Sequence, residues 1–109
     1  MKVTVTWHRG ALQDLAAIYL KKTGESRRQL RDAVREIDEL LKVDPSRKGR
    51  GLFAGQLTNE MLEILLARVG YYPELVRKVS CGPVEVIYTP HEEDGQAKIW
   101  VLQERTPRS

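Results

Sequence analysis

Three short apolar runs fill the last third of the chain: Leu75 to Val79, Val84 to Thr89 and Ala97 to Gln103. Two compact turn signals join them, Gly82-Pro83 and the stretch His91, Glu92, Glu93, Asp94, Gly95. Glycine and proline reverse a chain at little steric cost, and runs of this length rich in Val, Ile and Tyr suit strands. The segment therefore predicts an antiparallel meander. What precedes it narrows the fold further, because one strand at Lys2 to Trp7 is followed by two helical segments with no strand between them. This order predicts an α+β domain.

In the first segment Val3, Val5 and Trp7 alternate with Lys2, Thr4 and Thr6, as expected of a strand with one buried face. The first helix is expected from Arg9 to Lys22, with Leu12, Leu15, Ala16 and Tyr19 at helical spacing and Gly24 as its stop. Ser26 and Gln29 suggest a capping box for the second, whose stripe of Leu30, Ala33, Val34, Ile37, Leu40 and Leu41 ends at Asp44-Pro45. So short a connection predicts an antiparallel helix pair on one face of the sheet.

The middle is harder to read. Residues 46–51 look like a basic, flexible loop. Thr58 can cap a short third helix running to Val69 with Gly70 as its stop, although Met61 to Val69 also fits a strand.

At 109 residues the chain is expected to be one domain, 1–109, and its 18 basic against 15 acidic side chains give only a mild preference for anionic partners. Cys81 is the only cysteine, so no intrachain disulfide can form. No apolar run approaches the roughly 18 residues that span a bilayer. A cytoplasmic location without membrane contact is the expectation. Two histidines far apart, His8 and His91, resemble no metal site, and no phosphate-binding glycine loop is present. No metal and no cofactor are expected. Cys81 reads as a small residue entering a turn, and the Glu92, Glu93, Asp94 cluster as a solvated hairpin tip.

Arg27, Arg31 and Arg35 share a helical face, but Asp32, Glu36, Asp38 and Glu39 dilute the charge, and the face reads as solvated. Fewer acids surround Arg47, Lys48 and Arg50 in the loop and Arg77 and Lys78 on the first strand of the meander. If they converge, they form the best candidate anion-binding surface. In the last strand Ile99 and Val101 are expected to face opposite to Trp100 and Leu102, making it apolar on both sides. The helix pair can cover one face; the other is left for a partner peptide or for Met61 to Val69 folding back.

These elements and residues resemble the RelE/ParE toxin superfamily. The likeness rests on the strand Val3-Thr4-Val5-Thr6-Trp7, the segment Ala11-Leu12-Gln13-Asp14-Leu15, the helix end Asp44-Pro45, and the run Gly82-Pro83-Val84-Glu85-Val86-Ile87-Tyr88-Thr89 with its acidic turn and closing strand. It covers Lys2 to Pro45 and Leu75 to Gln103, leaving 46–73 as an atypical insertion. The resemblance implies one strand, a helix hairpin and a meander joined in a single sheet. It also implies a toxin of a type II toxin-antitoxin pair, of the kind linked to plasmid stabilization, neutralised by a small cognate antitoxin.

The RelE-like branch cleaves mRNA on the ribosome, and the ParE-like branch inhibits DNA gyrase. Cleavage by a ribose 2′-hydroxyl needs a base, cations for the charged phosphorane and an acid for the leaving oxygen. RelE-like enzymes meet these needs with Arg, Lys and Tyr side chains on the sheet and carboxyl tail. This chain departs from that set: Glu85 stands three residues before Tyr88 where the nucleases carry Arg, and the tail holds Arg105 and Arg108 but no tyrosine. The expectation is a toxin-like protein acting by target binding, with a RelE-like ribonuclease or a non-toxic binding module of the same fold as alternatives. Arg47, Lys48, Arg50, Arg77, Lys78 and Arg105 are the candidates for target or nucleic-acid contact. Trp100 and Leu102 are the candidates for the antitoxin interface.

Overall fold

A computed structural model describes residues 2–105 and shows an α+β chain. Its elements are β1 (Thr4–Trp7), α1 (Arg9–Leu20), α2 (Gly24–Leu41), β2 (Arg50–Phe53), α3 (Asn59–Val69), β3 (Leu75–Cys81), β4 (Val84–His91) and β5 (Gln96–Glu104). All five strands join one mixed sheet in the order β1-β5-β4-β3-β2. The β1–β5 pair is parallel and the others are antiparallel.

Local chemistry accounts for the helix boundaries. His8 lies in extended backbone and its Nδ1 accepts from the Gly10 amide at 2.9 Å, so an imidazole caps α1. Thr58 Oγ1 accepts from the Met61 amide at 3.1 Å, and Gly70 closes α3 at φ 97°, where a glycine is unstrained. Ser26 does not cap α2: Thr23 holds the cap position, and the Ser26 amide already bonds to the Thr23 carbonyl inside the helix. Gly24 opens α2 instead of closing α1, which ends at Leu20.

Two hydrophobic layers sandwich the sheet. Ala11 and Ile18 of α1, with Leu30, Ala33, Ile37 and Leu41 of α2, pack on Val79, Val84, Val86, Tyr88, Ile99 and Leu102. On the opposite face Leu65 of α3 packs with Leu52, Val76, Ile87 and Val101. The segment Met61 to Val69 is thus helical and folds back over the second face. The stretch 46–51 is not all loop, because Arg50 and Gly51 begin β2. Arg50 and Gly51 carry little strand propensity of their own, and pairing with Lys78 and Arg77 of β3 supplies the order.

The faces of β5 differ from simple alternation. Ile87 pairs with Val101 and Tyr88 with Ile99, so Trp100 is an extra residue on β5, a β-bulge. Ile99 consequently packs with Leu102 under α1 and α2, while Val101 and Trp100 pack toward α3. The expected pairing of Ile99 with Val101 on one face fails because the inserted residue resets the period of two.

That bulge lies where β1 has ended, so the outer edge of β5 lacks a strand partner. Asp14 and Arg68 take over. The Leu102 amide donates to Asp14 Oδ2 at 3.1 Å, and Arg68 Nη1 donates to the Trp100 carbonyl at 2.8 Å. The two side chains also pair bidentately at 2.7 and 3.0 Å. Gly10 leaves the necessary room, because a Cβ there would stand 2.6 Å from the Arg68 guanidinium carbon. Among the described residues no buried side-chain nitrogen or oxygen lacks a partner.

Asp14→Ala should therefore lower unfolding stability by about 2 kcal/mol, since it orphans a backbone amide and a half-buried guanidinium. Urea unfolding checks this, and a midpoint equal to that of the unaltered protein would contradict the role given to the pair.

Candidate functional site

The six basic candidates do not form one patch, because strand alternation separates neighbours. Lys78 and Arg50 are register partners on the face covered by α3, whereas Arg77 is partnered with Gly51 and Tyr88 on the face of α1 and α2. Arg77 Nε donates to the Lys48 carbonyl at 2.8 Å and Nη2 to the Gly49 carbonyl at 3.3 Å. The Tyr88 hydroxyl reaches the carbonyls of Pro45 and Lys48 at 2.7 and 2.8 Å. Together they fasten the turn that carries Arg47 and Lys48. Gly49 completes this contact at φ 61°, with the Lys78 carbonyl so close that no side chain fits. Burial pushes the Tyr88 hydroxyl above its usual value, and the nearby Arg77 opposes the shift.

Arg105 lies at the far end of the meander, where its guanidinium donates to the Gly82 carbonyl at 3.3 Å. Arg108 falls outside the described residues. Glu85 is almost fully buried and accepts from Gln103 Nε2 at 2.8 Å and Ser80 Oγ at 3.3 Å, with Lys78 Nζ at 3.5 Å. The carboxylate is thus paired within the sheet rather than left facing a ligand. Leu102 is only 2% exposed beneath the helix pair, and Trp100 is half-buried, donating from Nε1 to Thr89 Oγ1 at 2.8 Å. Neither candidate for the antitoxin interface offers an open apolar face, because α3 and the helix pair already occupy both sides of β5.

Sequence reasoning passed over two features. Glu92 accepts from both the amide and the hydroxyl of Ser46, tying the acidic turn to the turn after α2. No local spacing signals a contact across 46 positions. The second is a groove of about 700 Å³ between α1 and α2, lined by Leu12, Leu15, Tyr19, Leu20 and Val34, with Arg31, Arg35 and Asp38 at its rim. Leu12 and Leu20 are 50% and 76% exposed. Arg27 packs its guanidinium 4.5 Å from the ring centroid of Tyr19, a residue of the groove wall, and donates to the Tyr19 carbonyl. Asp38 is engaged by Trp7 Nε1 and Lys42, whereas Arg31 and Arg35 have no ion pair among the described residues. The face read as solvated is therefore partly a groove wall.

Among the described residues no group of His, Cys, Asp or Glu is placed to hold a metal ion, and no helix is long and apolar enough to cross a membrane. No family model, curated protein or solved structure matches the chain.

Two pH-linked outcomes follow. Burial, reinforced by the neighbouring Glu36 carboxylate, pushes the Cys81 thiol up to about 11. Iodoacetamide at mildly alkaline pH should modify it at least about tenfold more slowly than an exposed thiol of ordinary pKa, and Glu36→Gln should speed the reaction. The Ser46 hydroxyl and then its amide hold the Glu92 carboxyl below its usual value. A lowered folded value means that the tether contributes in full above the ordinary carboxylate value and is lost as pH falls from there through the lower folded value. The Ser46 amide resonance should titrate with a midpoint below the ordinary glutamate value of about 4.3; a midpoint at or above it would refute the assignment.

Proposed function

We propose that the chain is a RelE/ParE-like toxin component that acts by binding its target and is held by a small antitoxin. The groove between α1 and α2 is the observation that carries the binding half of this reading. An apolar floor with two arginines at its rim that form no ion pair among the described residues suits an amphipathic helix, whose apolar face fills the groove and whose flanking Asp or Glu side chains meet Arg31 and Arg35. A disordered acidic segment of a small antitoxin that folds on binding has that chemistry.

Cleavage of RNA is less well supported than binding. Tyr88 is fully buried and its hydroxyl is committed to two backbone carbonyls, Arg77 is bound to the Lys48 and Gly49 carbonyls, and Glu85 takes up part of the Lys78 charge. Arg77 and Tyr88, groups of the kind the nuclease chemistry requires, are thus employed in holding the sheet and the turn after α2 together.

Co-expression with the product of the adjacent small gene should yield a stable complex, and Leu12→Glu or Arg35→Glu should weaken it by at least about tenfold without unfolding the chain. Failure to form any complex would remove the antitoxin reading. Induction alone should arrest growth while mRNA stays intact. Ribosome-dependent mRNA cuts would favour the RelE-like alternative, and a complex without growth arrest would favour the non-toxic binding module.

A further inference from the structure

On the α3 side of the sheet, a second cleft of about 310 Å³ opens among Arg50, Lys78, Gln103, Thr58 and an apolar wall of Leu52 and Met61. Arg50 and Lys78 stand directly opposite each other on β2 and β3. Like charges in that relation repel, at a cost comparable to other cross-strand pairs, so the arrangement is unfavourable unless something anionic sits between them. Glu85 offsets only Lys78, from beneath, and Arg50 has no ion pair among the described residues. Two cations and one carboxylate leave a net positive cleft.

Glu85 also fixes the geometry. Its carboxylate holds Lys78 Nζ at 3.5 Å and the Gln103 amide nitrogen at 2.8 Å, so both donors are oriented before any ligand arrives. The second N–H of that amide remains for a ligand. Thr58, which caps the amino end of α3, lines the same cleft and adds the partial positive charge of the helix terminus.

We propose that this cleft binds a small organic phosphate of mononucleotide size. Guanidinium, ammonium and amide donors lining one cleft from β2, β3 and β5 match an anion with several oxygens better than a flat carboxylate. Leu52 and Met61 provide an apolar surface for an organic body, which inorganic phosphate lacks. The volume lies near the low end of the ~300–1,000 Å³ of small-molecule sites, so the ligand is small. The inference is independent of any antitoxin and of toxicity.

Amide chemical shifts of the free protein, followed during titration with 5′-AMP, test it. AMP should produce saturable shifts at Arg50, Thr58 and Gln103, with inorganic phosphate weaker and adenosine without effect at the same concentration. Arg50→Gln should weaken AMP by at least about tenfold without lowering the unfolding midpoint, because Arg50 is exposed, faces the like charge of Lys78 and makes no ion pair among the described residues. Lys78→Gln alone strands the buried Glu85, so Lys78→Gln combined with Glu85→Gln is the second variant, and it too should lose affinity. Adenosine equal to AMP, phosphate equal to AMP, or an unchanged affinity in Arg50→Gln would each overturn the proposal. So would a single-stranded RNA lacking a terminal phosphate that shifts the same amides more strongly than AMP.

Discussion

The bidentate pair between Asp14 and Arg68 sits where three layers meet, and the architecture depends on it. Asp14 comes from α1 and Arg68 from α3, on opposite faces of the sheet, and both bond to the backbone of β5 between them. The end of β1 makes this necessary: its pairing with β5 stops at Trp7 and Ile99, beside the bulge at Trp100, and leaves a carbonyl and an amide of β5 without strand partners. Buried backbone groups left unpaired cost about as much as a lost hydrogen bond each. A single ion pair removes both costs. Each side chain remains about one-fifth exposed, so the Coulombic attraction itself adds little beyond this.

The same bulge decides what the faces of the sheet present. By turning Val101 and Ile99 to opposite sides, it gives each face one of the two, and Val101 joins Leu52, Val76 and Ile87 in the apolar patch that Leu65 of α3 covers. With α3 in place, the middle of that face is closed to large ligands. What remains open there is the small polar cleft beside Arg50 and Lys78. The broad apolar surface lies on the other side of the molecule, in the groove between α1 and α2. A macromolecular partner and a small anion would therefore meet different faces of the chain.

Much of the element order was legible from local signals. Thr58 and Gly70 bracket α3 because a side-chain cap and a glycine at positive φ act within a few residues of themselves. Gly82-Pro83 and the turn after His91 delimit β4 for the same reason. β2 was not legible, since Arg50 and Gly51 become a strand only through pairing with β3. The candidate site was legible as a set of basic residues and not as an arrangement. Arg77 and Lys78 are adjacent in the chain and on opposite faces, and the first of them is a structural clasp for Lys48 and Gly49.

By itself, then, the sequence determined the α+β class, the apolar stripe of α2 and the turns of the meander, and it offered Thr58 and Gly70 as cap signals for α3 while leaving Met61 to Val69 open between helix and strand. These depend on contacts between residues a few positions apart. Tertiary structure alone decided which face each basic side chain occupies, where Glu85 finds its partners, and that Trp100 is a bulge. Those outcomes rest on register between strands and on contacts such as Asp14 with Arg68, 54 positions apart, which no local pattern encodes.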